Sequence, residues 1–171
     1  MFETLISKLQ DDKYLTLETT PQHEPSMHNI VEKIKKFKID SKVDGFTCTD
    51  NPLAKLKYNS LFAALKLQQE FKKPVIATMT MRDRNKIALQ SDLLGANDFD
   101  IRAILALTGD PANMSDQPNS KGVFEANSLM LLKMIKSFNY GMDFAGRPFK
   151  IEPKQIFPFA VVNAYAKNFG P

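Results

Sequence analysis

The sequence predicts an α/β protein: an incomplete (β/α)8 TIM barrel with about five parallel strands and four crossover helices. Three observations lead there. Five short apolar runs alternate with segments whose apolar residues recur near every 3.6 positions, as crossover units around a parallel sheet do. The first four runs begin at residues 14, 43, 75 and 103, spacings of 29, 32 and 28 residues, and a period this even is how a (β/α) barrel reads. Eight such units need about 250 residues, the usual barrel size, whereas the chain has 171.

In chain order, Phe2, Leu5, Ile6 and Leu9 predict a short capping helix within 1–13 that covers one end of the core. The first strand is expected at Tyr14–Glu18, the second at Val43–Thr49, the third at Val75–Met81, the fourth at Ala103–Leu107 and the fifth at Ile156–Val162. Between the first two, Ser26 is the expected N-cap of a helix carrying Ile30, Ile34 and Phe37 on one face. Asp50-Asn51-Pro52 predicts a cap with proline in the first turn of the next helix, whose face is Leu61, Ala64 and Leu65. Asp83 is the expected cap of a third helix with Ile87, Ser91 and Leu94, stopped by Gly95. The fourth carries Leu131, Leu132, Ile135 and Phe138 and stops near Gly141. Residues 112–123 and 141–155 are expected to be loops of a single domain spanning 1–171.

A barrel cut after five strands leaves two open edges and bares the apolar residues meant for the missing strands. Three arrangements answer this: a longer parent protein, a second copy over the gap, or an open doubly wound sheet. The first is expected.

Composition narrows the function. The chain is 43% hydrophobic and 25% charged, which excludes long disorder and fits a globular protein. No apolar run approaches the ~18 residues of a membrane span, and the first residues lack a signal-peptide cleavage site. The single Cys48 excludes an internal disulfide and suits a reducing cytoplasm, and with only His23 and His28 beside it a structural zinc site is not expected. Cys48 is expected in the barrel wall, and both histidines on the surface. With 23 basic and 19 acidic side chains the net charge is +4. The densest cluster (Lys33, Lys35, Lys36 and Lys38) fits a solvated helix face better than a nucleic-acid surface, while the mild field favours a small phosphate- or carboxylate-bearing ligand. Neither G-x-G-x-x-G nor G-x-x-x-x-G-K-[ST] occurs, so a Rossmann or Walker site is unsupported.

In a barrel the working residues lie at the C-terminal strand ends. These ends carry Glu18; Thr49 and Asn51; Thr78, Thr80, Arg82 and Arg84; Thr108, Gly109 and Asp110; and Val162 with Asn163. A carboxyl at Glu18 is expected to be partly desolvated, which favours the protonated form a general acid needs. Gly109 lets a ligand approach the backbone closely. Arg82 and Arg84 suit a phosphate or carboxylate clamp, or else a surface pair with Asp83 or Asp98. Thr49 and Asn51 suit a ring edge, or else a helix cap.

The stretches LETTP (17–21), VDGFTCTDNPLAKLKYNSLFAAL (43–65), RDRNKIALQSDLLGA (82–96), ALTGDP (106–111) and AVVNAYA (160–166) make the chain resemble the methylenetetrahydrofolate reductase family. RDRNKIALQSDLLGA followed by LTGDP is the most specific part. The resemblance implies a cytoplasmic flavoprotein oxidoreductase of one-carbon metabolism. It would reduce 5,10-methylenetetrahydrofolate to 5-methyltetrahydrofolate with FAD as cofactor and NADH or NADPH as reductant, as a homo-oligomer in full-length form. It implies Glu18 as general acid and Asp110 as the carboxylate beside the flavin ring. It further implies flavin contacts at Thr49, Thr108, Gly109, Phe124, Ala160 and Val162. Thr78 stands where some members place a flavin-contacting His, and Thr108 where some place Arg. The later family segments, which complete the flavin and folate sites, are not in this sequence. The alternative to an enzyme is a non-catalytic folate- or flavin-binding or assembly module built from a half barrel.

Overall fold

The computed structural model describes residues 2–11 and 13–162. The described chain runs α1 (Phe2–Asp11), β1 (Thr16–Thr19), α2 (His28–Lys36), β2 (Gly45–Cys48), α3 (Ser60–Phe71), β3 (Val75–Thr80), α4 (Lys86–Asp98), β4 (Ala103–Leu107), α5 (Ser128–Asn139) and β5 (Phe157–Ala160). All neighbouring strands pair in parallel, and their spatial order is the chain order, β1-β2-β3-β4-β5. Each strand adds on the same side as the one before it, with no reversal of order, so the sheet, which is not closed, is part of a barrel wall rather than a doubly wound sheet.

Alternation along the strands separates two faces. Phe46 and Cys48 of β2, Val75, Ala77 and Met79 of β3, and Ile104 and Ala106 of β4 face the helices. There they join Val31, Ile34, Ala64, Leu67, Leu89, Leu93, Leu131 and Ile135 in the main core. The Val, Ile, Leu, Met and Phe side chains among them each contribute about 1.5–3 kcal/mol when fully buried. The other face forms the barrel interior. At its lower end Leu5 of α1 is fully buried against Ile76 and Ala103, with Tyr14, Leu105 and Phe159 packed around them. The amphipathic first helix therefore plugs the end of the interior away from the strand tips.

Local chemistry sets the helix starts. Asn59 accepts from the backbone N–H groups of Leu61 and Phe62, Asn85 from that of Ala88, and Asn127 from that of Leu129. Ser26 accepts from the N–H of His28 at 3.0 Å but lies one residue before the N-cap, which is Met27 and has no side-chain cap bond, so the expected Ser26 cap is corrected. Two further expected caps are corrected. Asp50 does not open a helix, because its carboxylate is drawn into the sheet by Thr80 and Arg84. The residues after it form a 3-10 turn, Pro52–Ala54, and α3 begins only at Ser60. Asp83 does not cap α4, because the Arg82 guanidinium holds it.

Helix phase is the second correction. In α4 the buried stripe is Leu89, Leu93 and Ala96, whereas Ile87, Ser91 and Leu94 face outward and the helix runs through Gly95 to Asp98. Two apolar stripes compete on this helix, and the one without a serine wins the sheet. In α2, Val31 and Ile34 are buried and Phe37, just past the helix end, is exposed. In α3, Ala63, Ala64 and Leu67 lead, with Leu61 and Leu65 half-buried. The α5 face contains the expected Leu131, Ile135 and Phe138, joined by Met134.

Cys48 is fully buried, and desolvation pushes its thiol up to about 12, with only a weak opposing contact to Thr19. The thiolate is the reactive form. Folded protein at pH 8 is therefore expected to resist a thiol-specific disulfide reagent, and denatured protein to react with one equivalent. Rapid labelling without denaturant would contradict the burial.

Candidate functional site at the strand ends

The strand tips converge on a cavity of about 420 Å³ lined by Glu18, Thr49, Asp50, Pro52, Thr78, Thr80, Leu105, Leu107, Thr108, Gly109, Asp110 and Val161. Strand alternation accounts for this set. Thr78 and Thr80 of β3 pair with Leu105 and Leu107 of β4, all four on the face opposite the helices. Thus Glu18, Thr49 and Asp110, which come from three different strand ends, share one concavity.

Glu18 is exposed and makes no hydrogen bond or ion pair among the described residues. The expected desolvation is not found: Glu18 is exposed on β1, an edge strand of the described sheet. Thr49 is half-buried, and its hydroxyl oxygen is enclosed with no hydrogen-bond partner among the described residues. An orphan hydroxyl in a ligand mouth leaves bonding capacity for whatever binds there.

Asp50 has the most crowded carboxylate of the mouth. Its Oδ2 accepts from the Thr80 N–H at 3.0 Å, from the Thr80 hydroxyl at 2.9 Å and from Arg84 Nη1 at 2.6 Å. Its Oδ1 accepts from Arg84 Nη2 at 3.3 Å, and Arg84 Nε reaches Asp92 of α4 at 2.8 Å. The Asp50 side chain is 0% exposed and that of Arg84 10%. Burial works against the Arg84 charge, but the Asp50 and Asp92 carboxylates more than offset it, and its pKa rises. The guanidinium thus ties the tips of β2 and β3 to α4.

Asp110 sits after Gly109, whose φ is +97°. A Cβ there would lie 3.0 Å from that of Arg82 and 3.1 Å from that of Thr80, so glycine keeps this wall of the mouth shallow. Asp110 Oδ2 accepts from the Leu53 N–H at 2.6 Å, and Asp116 Oδ1 from the Leu56 N–H at 3.2 Å. The loop after β4 thereby straps the loop after β2. That loop is strained, with left-handed φ at Asn51 (43°), Leu53 (57°) and Ala54 (57°). The Thr108 hydroxyl accepts from the Ser128 N–H at 3.2 Å and anchors the start of α5.

Six expected contact residues lie outside the lining. Asn51 accepts from the Lys57 N–H at 2.8 Å and so organises its own loop. Arg82 is buried; its Nε and Nη2 donate to Asp83 at 2.8 and 2.7 Å and Nη2 also to the Asn51 carbonyl at 3.0 Å, while its Nη1 has no partner among the described residues. This bidentate bond, the leading cause, holds the Asp83 carboxyl below its usual range. Arg84 pairs with Asp50 and Asp92, and neither arginine pairs with Asp98. Phe124 lies in the loop before α5, its ring over Gly122. Ala160 and Val162 are exposed on and just beyond β5, flanking the lining residue Val161. Asn163 lies outside the described residues. Residue-by-residue reading missed Asp50, Leu105, Leu107 and Val161 as lining groups. Alternation from Ala103 through Leu107 carries the signal for the two leucines.

The residues fit a planar heteroaromatic ring: an apolar wall of Leu105, Leu107 and Val161, hydroxyls at its edge, and a side-chain-free approach at Gly109. Among the described residues no group of His, Cys, Asp and Glu could hold a metal ion, and no helix is long and apolar enough to cross a membrane.

The fold defines an α/β protein built as part of a (β/α) barrel, with a concavity at the C-terminal strand tips. A family model described as methylenetetrahydrofolate reductase matches residues 3–150, and the chain belongs to that family, whose members are oxidoreductases of one-carbon metabolism. No curated protein matches the chain.

Proposed function

We propose that the mouth serves the reduction of 5,10-methylenetetrahydrofolate to 5-methyltetrahydrofolate, with FAD as the bound cofactor and NADH or NADPH as the reductant. The convergence of Glu18, Thr49 and Asp110 on one concavity carries this reading, and the family membership supports it. FAD, when bound, supplies hydride transfer. The chain's own residues do the rest. Leu105, Leu107 and Val161 give a ring a flat apolar seat and exclude water from one side. Thr49 offers its unused hydroxyl to a ring edge. Glu18 delivers a proton to the bridging nitrogen of the folate, so that the five-membered ring opens to an iminium able to accept hydride. Asp110, held by the Leu53 N–H, sets negative charge beside that cation and favours it.

Both edges of the described sheet are open, and Glu18 stands on one of them. Turnover therefore needs the edges closed, by further strands or by a second copy, whereas weak ring binding needs only the wall that is present.

The test is a titration of the protein with FAD, followed by NADH or NADPH without oxygen. The expected result is quenched flavin fluorescence on binding, bleaching of the visible flavin band by the nicotinamide, and its return with 5,10-methylenetetrahydrofolate once the edges are closed. Flavin binding with no reduction after closure would favour a binding module. No flavin binding at all would refute the proposal.

A further inference from the structure

We propose that the buried Asp50–Arg84 pair fixes the polarity of the Thr80 hydroxyl, so that Thr80 meets the ligand only as a hydrogen-bond acceptor and selects a ring edge bearing an N–H. The inference rests on the proposed function for its ligand class, a flavin or a pterin.

An ionised carboxylate can only accept hydrogen bonds, and a hydroxyl has one proton to give. The Arg84 guanidinium engages both Asp50 oxygens, at 2.6 and 3.3 Å, with the Asp50 side chain fully buried. The Thr80 hydroxyl and its own backbone N–H both reach Oδ2, at 2.9 and 3.0 Å. The hydroxyl proton is thus committed inward. The remaining lone pairs of Oγ1 accept nothing from the described residues, and Thr80 lines the mouth. On the neighbouring strand tip the Thr49 hydroxyl has no partner among the described residues, so its proton is free to be given. One fixed acceptor beside one free hydroxyl suits a cyclic amide edge, an N–H next to a C=O. An edge with acceptors alone would leave lone pairs facing lone pairs at Thr80, a costly mismatch in a buried site. Flavins and pterins both carry such an edge. Asp50 and Arg84 act through Thr80 and are positioning residues.

The experiment measures binding of riboflavin against 3-methylriboflavin, and of pterin against 3-methylpterin, to the full chain and its Thr80 and Asp50 variants. Methylation removes the amide N–H, and the ring that shows the effect is the one seated at Thr80. For that ring, Thr80→Val keeps the side-chain size and is expected to weaken the unmethylated ligand about tenfold, the worth of one hydrogen bond. It should leave the methylated ligand unchanged, so that the preference collapses. Thr80→Ser should restore the preference. Asp50→Asn can turn an amide N–H toward Oγ1 and release the hydroxyl proton outward, so it should narrow the preference. If that variant does not fold, the Thr80 series decides alone. A preference undiminished in Thr80→Val, or rings bound without any preference, overturns this inference and leaves the proposed function standing. Failure of the wild-type chain to bind either ring overturns both.

Discussion

Glu18→Gln is expected to abolish folate reduction in the edge-closed enzyme while leaving reduction of bound flavin by NADH or NADPH intact. The glutamine keeps the size and the hydrogen-bonding reach of the side chain but has no proton to deliver. General acid catalysis is worth about 100- to 10,000-fold, so folate-dependent reoxidation should fall by that factor. The nicotinamide half-reaction needs no such proton donor and should be unaffected. The structure makes this variant clean. Glu18 is exposed and has no hydrogen bond or ion pair among the described residues, so its replacement should change stability by less than about 0.5 kcal/mol. Stopped-flow measurement of the two half-reactions separates them. Undiminished folate turnover would remove Glu18 from the chemistry, and equal loss in both half-reactions would make it a binding group.

The second large effect is on the fold. Arg84→Met should destabilise the protein by about 3–5 kcal/mol, because it strands the Asp50 carboxylate inside the sheet without its countercharge. The Asp50 side chain is 0% exposed, so water cannot replace the guanidinium. Adding Asp50→Leu to Arg84→Met removes the stranded charge and should recover much of the loss, less the cost of leaving the Thr80 N–H without its acceptor. Urea denaturation midpoints with an unchanged slope would read both shifts. A wild-type midpoint for Arg84→Met would mean that the ion pair contributes nothing net.

These two residues also mark what could be read from the chain alone. Strand positions were legible because a buried parallel strand is a short apolar run between turns; β4 was expected at Ala103–Leu107 and lies there. Helix existence was legible for the same reason, but helix phase was not. The α4 segment holds two apolar stripes, and only the sheet decides that Leu89 and Leu93 go inward while Ile87 stays out. Caps failed where a guanidinium took the carboxylate from the local backbone: Arg84 takes Asp50 from across 34 residues, and Arg82 takes the adjacent Asp83. The polar rim was readable because strand-end hydroxyls and carboxylates are local features. The Thr80–Asp50–Arg84 chain was not, since its order depends on which oxygen each donor reaches.

The strand order has a consequence for how the molecule is made. Every strand pairs with the strand that preceded it in the chain. A polypeptide leaving the ribosome can therefore add one βα unit at a time to a growing edge, without waiting for a distant segment. Such vectorial assembly keeps loop-closure costs small at each step. It also means that the newest edge is always the exposed one, and the apolar tip around Phe157 and Val161 is where a stalled or crowded nascent chain would first stick to its neighbours.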